Sequence, residues 1–263
     1  MFGAGPRSAV SRSIHGGVRR RLQAEDGIVA VAEHRPASDG ARDLAIVVVH
    51  GFTMHWRHPR LLRIAPWLRD PAGLVLLDLR GHGGSGGVST LGWHEVMDVE
   101  TAVGWARSLG YARVATLGFS LGSAVVLRHA ALYGGVDAVA AVSGPGQWYY
   151  RGTPRMRTMH RLVLGRSGRT AIRLARGTRI TGEAWTEPYP LDPAAAAAEI
   201  DVPLLVVHGA LDDYFPTEHA ARVAAAGGRS TLWLEPGFGH AEGAVNEPLA
   251  RRISDWLVTQ CPT

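Results

Sequence analysis

The chain contains no lysine: all 28 of its cationic side chains are arginine. That excludes phosphate-loop and Schiff-base chemistry, both of which need a lysine amine. Cysteine is nearly absent as well. The one thiol, Cys261, has no partner for an internal disulfide, so a reducing, cytoplasmic setting is the expectation. No stretch approaches the roughly 18–20 apolar residues that would cross a bilayer, and no membrane span is expected. Acid is missing from residues 1–24, which hold Arg7, Arg12, Arg19, Arg20 and Arg21 but no Asp or Glu. With those five set aside, the remaining arginines balance the 23 acids. The excess positive charge therefore belongs to a tail rather than to a nucleic-acid-binding face. That tail also lacks the apolar stretch of about 7–15 residues that marks a secretory signal, and its Gly, Ser and Arg content reads as a disordered extension.

What is present describes one globular unit. The chain has 263 residues, 46 % hydrophobic and 19 % charged, and α/β domains of about 250 residues fold as single units. One domain is expected over 25–263. Short apolar runs predict strands over Ile28–Glu33, Leu44–His50, Leu74–Leu79, Arg113–Leu117, Ala138–Ser143, Pro203–His208 and Thr231–Leu234. Several are apolar on both faces, as in strands covered by helices on each side. Helical patterns fall between them, at Arg60–Arg69, Trp93–Leu109, Leu121–Tyr133, Glu218–Ala226 and Glu247–Leu257. Alternation with short connections implies α/β architecture, a doubly wound and mostly parallel sheet. The rhythm breaks between Ser143 and Pro203, where the connection is far longer than a crossover requires. Apolar positions at Met156, Met159, Leu162 and Val163, then Ile172 and Leu174, suggest one or two amphipathic helices. A helical lid insertion over about 147–191 is expected.

The strongest motif is Gly118-Phe119-Ser120-Leu121-Gly122. A buried-type strand runs into it and a helical pattern leaves it. That is the context of a nucleophile elbow, a strained strand-to-helix turn that lifts a serine hydroxyl above the sheet. Small residues are needed two before and two after the serine, where strand and helix converge; both are Gly.

In these residues the chain resembles the α/β-hydrolase family of serine esterases, lipases and thioesterases, over about residues 28–258. The family order is nucleophile, acid, then histidine. The resemblance implies Asp212 as the acid, within His208-Gly209-Ala210-Leu211-Asp212-Asp213-Tyr214-Phe215-Pro216, with Asp213 the neighbouring alternative. It implies His240 as the base, in Pro236-Gly237-Phe238-Gly239-His240. A serine hydroxyl is a poor nucleophile until an imidazole takes its proton, and the acid holds that imidazole in the right tautomer. The resemblance further implies an oxyanion hole from the backbone N–H groups of Phe52 and Leu121. A serine at this place argues against the dehalogenase and epoxide-hydrolase branches, which use an aspartate nucleophile.

Other motifs carry less. Gly81-His82-Gly83-Gly84-Ser85-Gly86 matches a dinucleotide fingerprint, but turn-like residues 87–92 intervene where a helix should open directly, so no cofactor is expected. The 12 histidines include His55 and His58, yet no metal-binding array appears and no metal is expected. Nine arginines lie between Gln147 and Leu191 against Glu183 and Glu187. They form either a solvated helix face or a surface for an anionic substrate, carrier or membrane. Trp148, Tyr149, Tyr150 and Trp185 flank the insertion, as packing residues or pocket lining. The expectation is a cofactor-free carboxylesterase or thioesterase acting on a small acyl substrate. The rivals are an acyltransferase or condensing thioesterase with the same triad, and a non-catalytic binding protein on the same fold.

Overall fold

Strands apolar on both faces need cover on both faces, and the fold supplies it. The computed structural model describes residues 11–12, 17–70 and 72–261. Among them, nine strands form one sheet: β1 (Ser11–Arg12), β2 (Val18–Gln23), β3 (Val29–Arg35), β4 (Leu44–Val49), β5 (Gly73–Asp78), β6 (Arg113–Phe119), β7 (Ala138–Val142), β8 (Leu204–Gly209) and β9 (Ser230–Glu235). Their order across the sheet is β1-β2-β3-β5-β4-β6-β7-β8-β9. From β5 to β9 every pairing is parallel, and the first three strands add an antiparallel edge. In β4, Ala45, Val47 and Val49 join the core on one side of the sheet, while Leu44, Ile46 and Val48 join the core on the other. Helices α2 (Glu95–Ser108), α3 (Leu121–Tyr133), α6 (Pro193–Ala198) and α7 (Thr217–Ala226) cover the first side. The second is covered by α1 (Pro59–Leu68), α8 (Ala241–Ala244) and α9 (Glu247–Gln260). None of the described helices is long and apolar enough to cross a membrane.

The basic tail needs correction where it is described. Most of residues 1–16 lie outside the described residues, but Val18–Gln23 is strand β2, paired along its whole length with β3. Strand pairing uses backbone hydrogen bonds, so it tolerates Arg19, Arg20 and Arg21, whose side chains alternate between faces and are half-exposed or exposed. Arg19 and Arg35 also face the buried Glu33 carboxylate, at 3.9 and 2.8 Å.

The long connection between β7 and β8 carries, ahead of α6, two consecutive helices, α4 (Pro154–Leu164) and α5 (Arg166–Arg176), which pack on each other. Pro154 follows the N-cap Thr153, whose hydroxyl accepts from the Met156 N–H at 3.2 Å. No residue of α4 is buried. Its apolar side, with Met156, Met159 and Val163, faces a cavity rather than the core.

Candidate active site

Parallel strands carry their loops to one edge, and the expected site residues all follow strand C-termini there. Phe52 follows β4, Ser120 follows β6, Asp212 follows β8 and His240 follows β9. Ser120 sits at φ 51°, ψ −114°, outside the regions a non-glycine residue normally occupies, at a cost of about 1–3 kcal/mol. The two flanking glycines make that turn possible. A Cβ on Gly118 would lie 2.2 Å from the Gly122 carbonyl oxygen, and one on Gly122 would lie 2.4 Å from the Val49 carbonyl oxygen. The start of α3 therefore rides directly over the end of β4. That contact sets Leu121 beside the Gly51–Phe52 turn, and Phe52, Ser120 and Leu121 line one cavity.

The hydrogen-bond chain is continuous. His240 Nε2 lies 2.9 Å from Ser120 Oγ, and His240 Nδ1 lies 2.8 Å from Asp212 Oδ2. Asp212 Oδ1 accepts from the backbone N–H groups of Tyr214 at 2.8 Å and Phe215 at 3.0 Å. Burial alone would push the Asp212 carboxyl up, but the His240 hydrogen bond and charge, with the two backbone donors, hold it below its usual value. The neighbouring carboxylate is excluded from this chain. Asp213 turns away, half-exposed, to meet Arg155 at 2.7 Å.

Supporting contacts fix each loop. Leu211 N–H donates to the Phe238 carbonyl at 3.0 Å, joining the acid and histidine loops. Ala241 N–H donates to Ser143 Oγ at 3.0 Å. The Tyr214 ring stacks on His240 with centroids 4.3 Å apart. Beneath the Gly51–Phe52 turn, His50 donates from Nδ1 to the Gly51 carbonyl and accepts at Nε2 from Leu79 N–H, at 2.8 and 3.1 Å. Burial, then the neighbouring His82, drives His50 well below its ordinary range, so the ring is neutral.

Two neighbours of the site, Glu242 and Arg60, escaped the sequence reading, and a third, Arg176, entered it only as one of the nine insertion arginines. Glu242 is 2 % exposed, and its Oε1 accepts from Gly51 N–H at 2.6 Å. Burial pushes its carboxyl up, partly offset by that hydrogen bond. Its only sequence signal is an acid set among the small residues Ala241, Gly243 and Ala244. Arg60 and Arg176 reach the same cavity from helices far apart in the chain; nothing local marks Arg60, and nothing local sets Arg176 apart from the other insertion arginines.

The cavity measures about 750 Å³, the size of a small-molecule site. Trp148, Tyr149, Tyr150 and Trp185 all line it, with the two Trp rings edge to face at 5.2 Å. The glycine-rich 81–86 loop has a structural role instead. Asp78 accepts from Gly84 and Trp56 N–H groups at 2.8 and 2.7 Å, and Ser85 Oγ donates to the Asp78 carbonyl at 2.6 Å. Among the described residues, no group of three or more His, Cys, Asp or Glu side chains is arranged to hold a metal ion.

Residues 46–251 match the alpha/beta hydrolase family, and the chain belongs to it. Solved structures share the fold at low identity. An esterase of Pyrococcus furiosus, Pf2001, aligns with TM-score 0.71 and 18 % identity over 96 % of this chain and 98 % of its own. The esterase RhEst1 of Rhodococcus sp. ECU1013 aligns with TM-score 0.69 and 18 % identity over 91 % and 98 %. The alpha/beta hydrolase GrgF of Penicillium sp. sh18 aligns with TM-score 0.70 and 21 % identity over 92 % and 98 %. No protein of curated function matches the chain.

Proposed function

We propose that this chain hydrolyses a carboxylic ester or thioester through an acyl-Ser120 intermediate. The observation that carries the reading is the unbroken Asp212–His240–Ser120 chain, with both links at hydrogen-bond distance. Two neighbours of similar fold are described as esterases, which gives the reading its direction.

Ser120 Oγ attacks the substrate carbonyl carbon while His240 Nε2 takes the hydroxyl proton. Asp212 keeps the other ring nitrogen protonated and stabilises the imidazolium. Negative charge on the carbonyl oxygen is met by the Phe52 and Leu121 N–H groups, each worth about 10²–10³ in turnover. The tetrahedral species collapses, and the departing alcohol or thiol takes the proton from His240. Water then adds to the acyl carbon, giving its proton to His240, and Ser120 leaves with that proton restored. The α4–α5 pair acts as a lid, its Met156, Met159 and Val163 side chains offering apolar wall to an acyl chain.

The test is hydrolysis of p-nitrophenyl esters of graded acyl length by wild type and Ser120→Ala. Loss of activity in the variant supports the acyl-enzyme. A wild type inert toward every ester overturns it. Adding an alcohol acceptor and analysing products separates hydrolysis from acyl transfer.

A further inference from the structure

The cavity wall carries cations of two kinds. Arg155 is engaged by Asp213 at 2.7 Å, and Arg169 donates to the Val163 and Leu164 carbonyls at 3.1 and 2.9 Å. Arg60 and Arg176 also line the cavity, and neither guanidinium has a hydrogen-bond or ion-pair partner among the described residues. They come from different elements, Arg60 from the first turn of α1 and Arg176 from the last residue of α5.

Both guanidiniums line the cavity that holds Ser120 and His240, and two observations bear on their surroundings. His58, the N-cap of α1 and itself on the cavity wall, is held below its usual range by burial first, then by His55, Arg60 and Arg176. Both arginines therefore bear on one imidazole. The Arg60 guanidinium also hangs over the histidine loop, since a Cβ on Gly243 would lie 3.1 Å from its Nη1. Gly243 is three residues beyond His240. The remaining wall is largely apolar and aromatic, and its acids are Glu183 and the buried Glu242, whose carboxylate also feels the charge of Arg60. An arginine pair with no protein acceptor beside an apolar slot is matched by one ligand chemistry: an oxyanion at the far end of an apolar chain.

We infer that Arg60 and Arg176 form an anion subsite that selects acyl substrates bearing a carboxylate or phosphate remote from the scissile bond. This rests on the hydrolase reading above and narrows its substrate class. The anion docks between the two guanidiniums while the apolar segment lies along the α4 wall, which delivers the scissile carbonyl to Ser120. Arg60 and Arg176 are themselves exposed, and the other insertion arginines differ in place: most of them do not line the cavity and contribute only a diffuse field.

The experiment compares mono-p-nitrophenyl adipate, its neutral methyl ester, and a p-nitrophenyl ester of similar length ending in phosphate. Each is assayed with wild type, Arg60→Gln, Arg176→Gln and Arg173→Gln, the last an exposed α5 residue away from the cavity. Wild type should favour one or both charged esters over the neutral one by about ten-fold or more in kcat/KM. The charged-to-neutral ratio should fall about ten-fold in Arg60→Gln and Arg176→Gln and hold in Arg173→Gln. The size of the two charged preferences then tells carboxylate from phosphate. A wild-type ratio at or below one, or a ratio unmoved by both cavity substitutions, overturns the inference. Calorimetric binding of adipate to Ser120→Ala separates the subsite from the reaction. Binding that weakens in the Ser120→Ala/Arg60→Gln double variant supports the subsite even if no ester is cleaved, and absence of binding overturns it.

Discussion

The Gly51 N–H donates a 2.6 Å hydrogen bond to Oε1 of Glu242, tying the turn after β4 to a residue two positions beyond His240. The two loops belong to opposite ends of the chain. Their union joins the loops that carry Phe52 and His240 on either side of Ser120, whose Cβ lies 3.2 Å from the place a Gly51 Cβ would take.

Removing that tie should loosen both loops. Glu242→Ala is expected to lower kcat about 10- to 100-fold, because small displacements of a positioned donor are costly. Glu242→Gln keeps an acceptor oxygen for Gly51 and should restore most of the rate. The amide also removes a titrating group. Burial raises the Glu242 carboxyl above its ordinary 4.5, so the native state binds its proton more tightly than the unfolded chain. Wild-type stability is then lost as pH rises through the folded value, whereas the amide is indifferent. Thermal midpoints at pH 4.5 and pH 8 should show Glu242→Gln gaining on wild type at the higher pH.

The two adjacent aspartates should behave very differently. Asp212→Asn leaves the imidazole without its anionic partner and should cut kcat about 10³- to 10⁴-fold. Asp213→Asn loses only a half-exposed ion pair with Arg155 and should change kcat/KM less than about 3-fold. Steady-state kinetics on one neutral ester would separate them, and comparable losses would contradict the assignment.

The elbow glycine is a packing requirement. In Gly118→Ala the new methyl would sit 2.2 Å from the Gly122 carbonyl oxygen, so either the strand or the start of α3 must move. Overpacking of this kind should cost about 2–3 kcal/mol, and the melting temperature should drop by about 5–10 °C.

His34 offers a pH test on the far side of the sheet. Its Nε2 lies 2.8 Å from the Tyr111 hydroxyl, and burial, with Arg42, lowers it to about 4. Between pH 6.5 and 4 the unfolded chain binds a proton that native His34 refuses, so stability falls as the pH is lowered through that window. Asp78, pushed up to about 6 by burial, takes up a proton in the native state and works in the opposite sense below pH 6. The informative quantity is therefore the difference between wild type and His34→Gln. The urea midpoint of wild type should decline more steeply toward pH 4 than that of the variant.

Much of the molecule was legible because its strands are extreme. In β4, β6 and β8 nearly every side chain is apolar, since each strand is buried on two faces, and such runs are hard to mistake. The elbow was equally plain, because only glycine fits where Gly122 meets the Val49 carbonyl. Strand β2 was hidden by its own composition: it is held near the sheet's edge by backbone bonds, which leave no mark on a run such as Arg19-Arg20-Arg21.

By itself the sequence determined the α/β architecture, the serine on its turn, and the order in which acid and histidine follow. Those features depend on local chemistry: side-chain period, glycine placement and residue type. Tertiary structure alone decided that Asp212 rather than Asp213 faces His240, that Glu242 holds Gly51, and that Arg60 and Arg176 line one cavity. Each of these is a distance between segments remote in the chain, set by how the sheet brings its loops to one edge and how α4 and α5 fold back over it. Periodicity records which face a residue occupies, not what stands opposite.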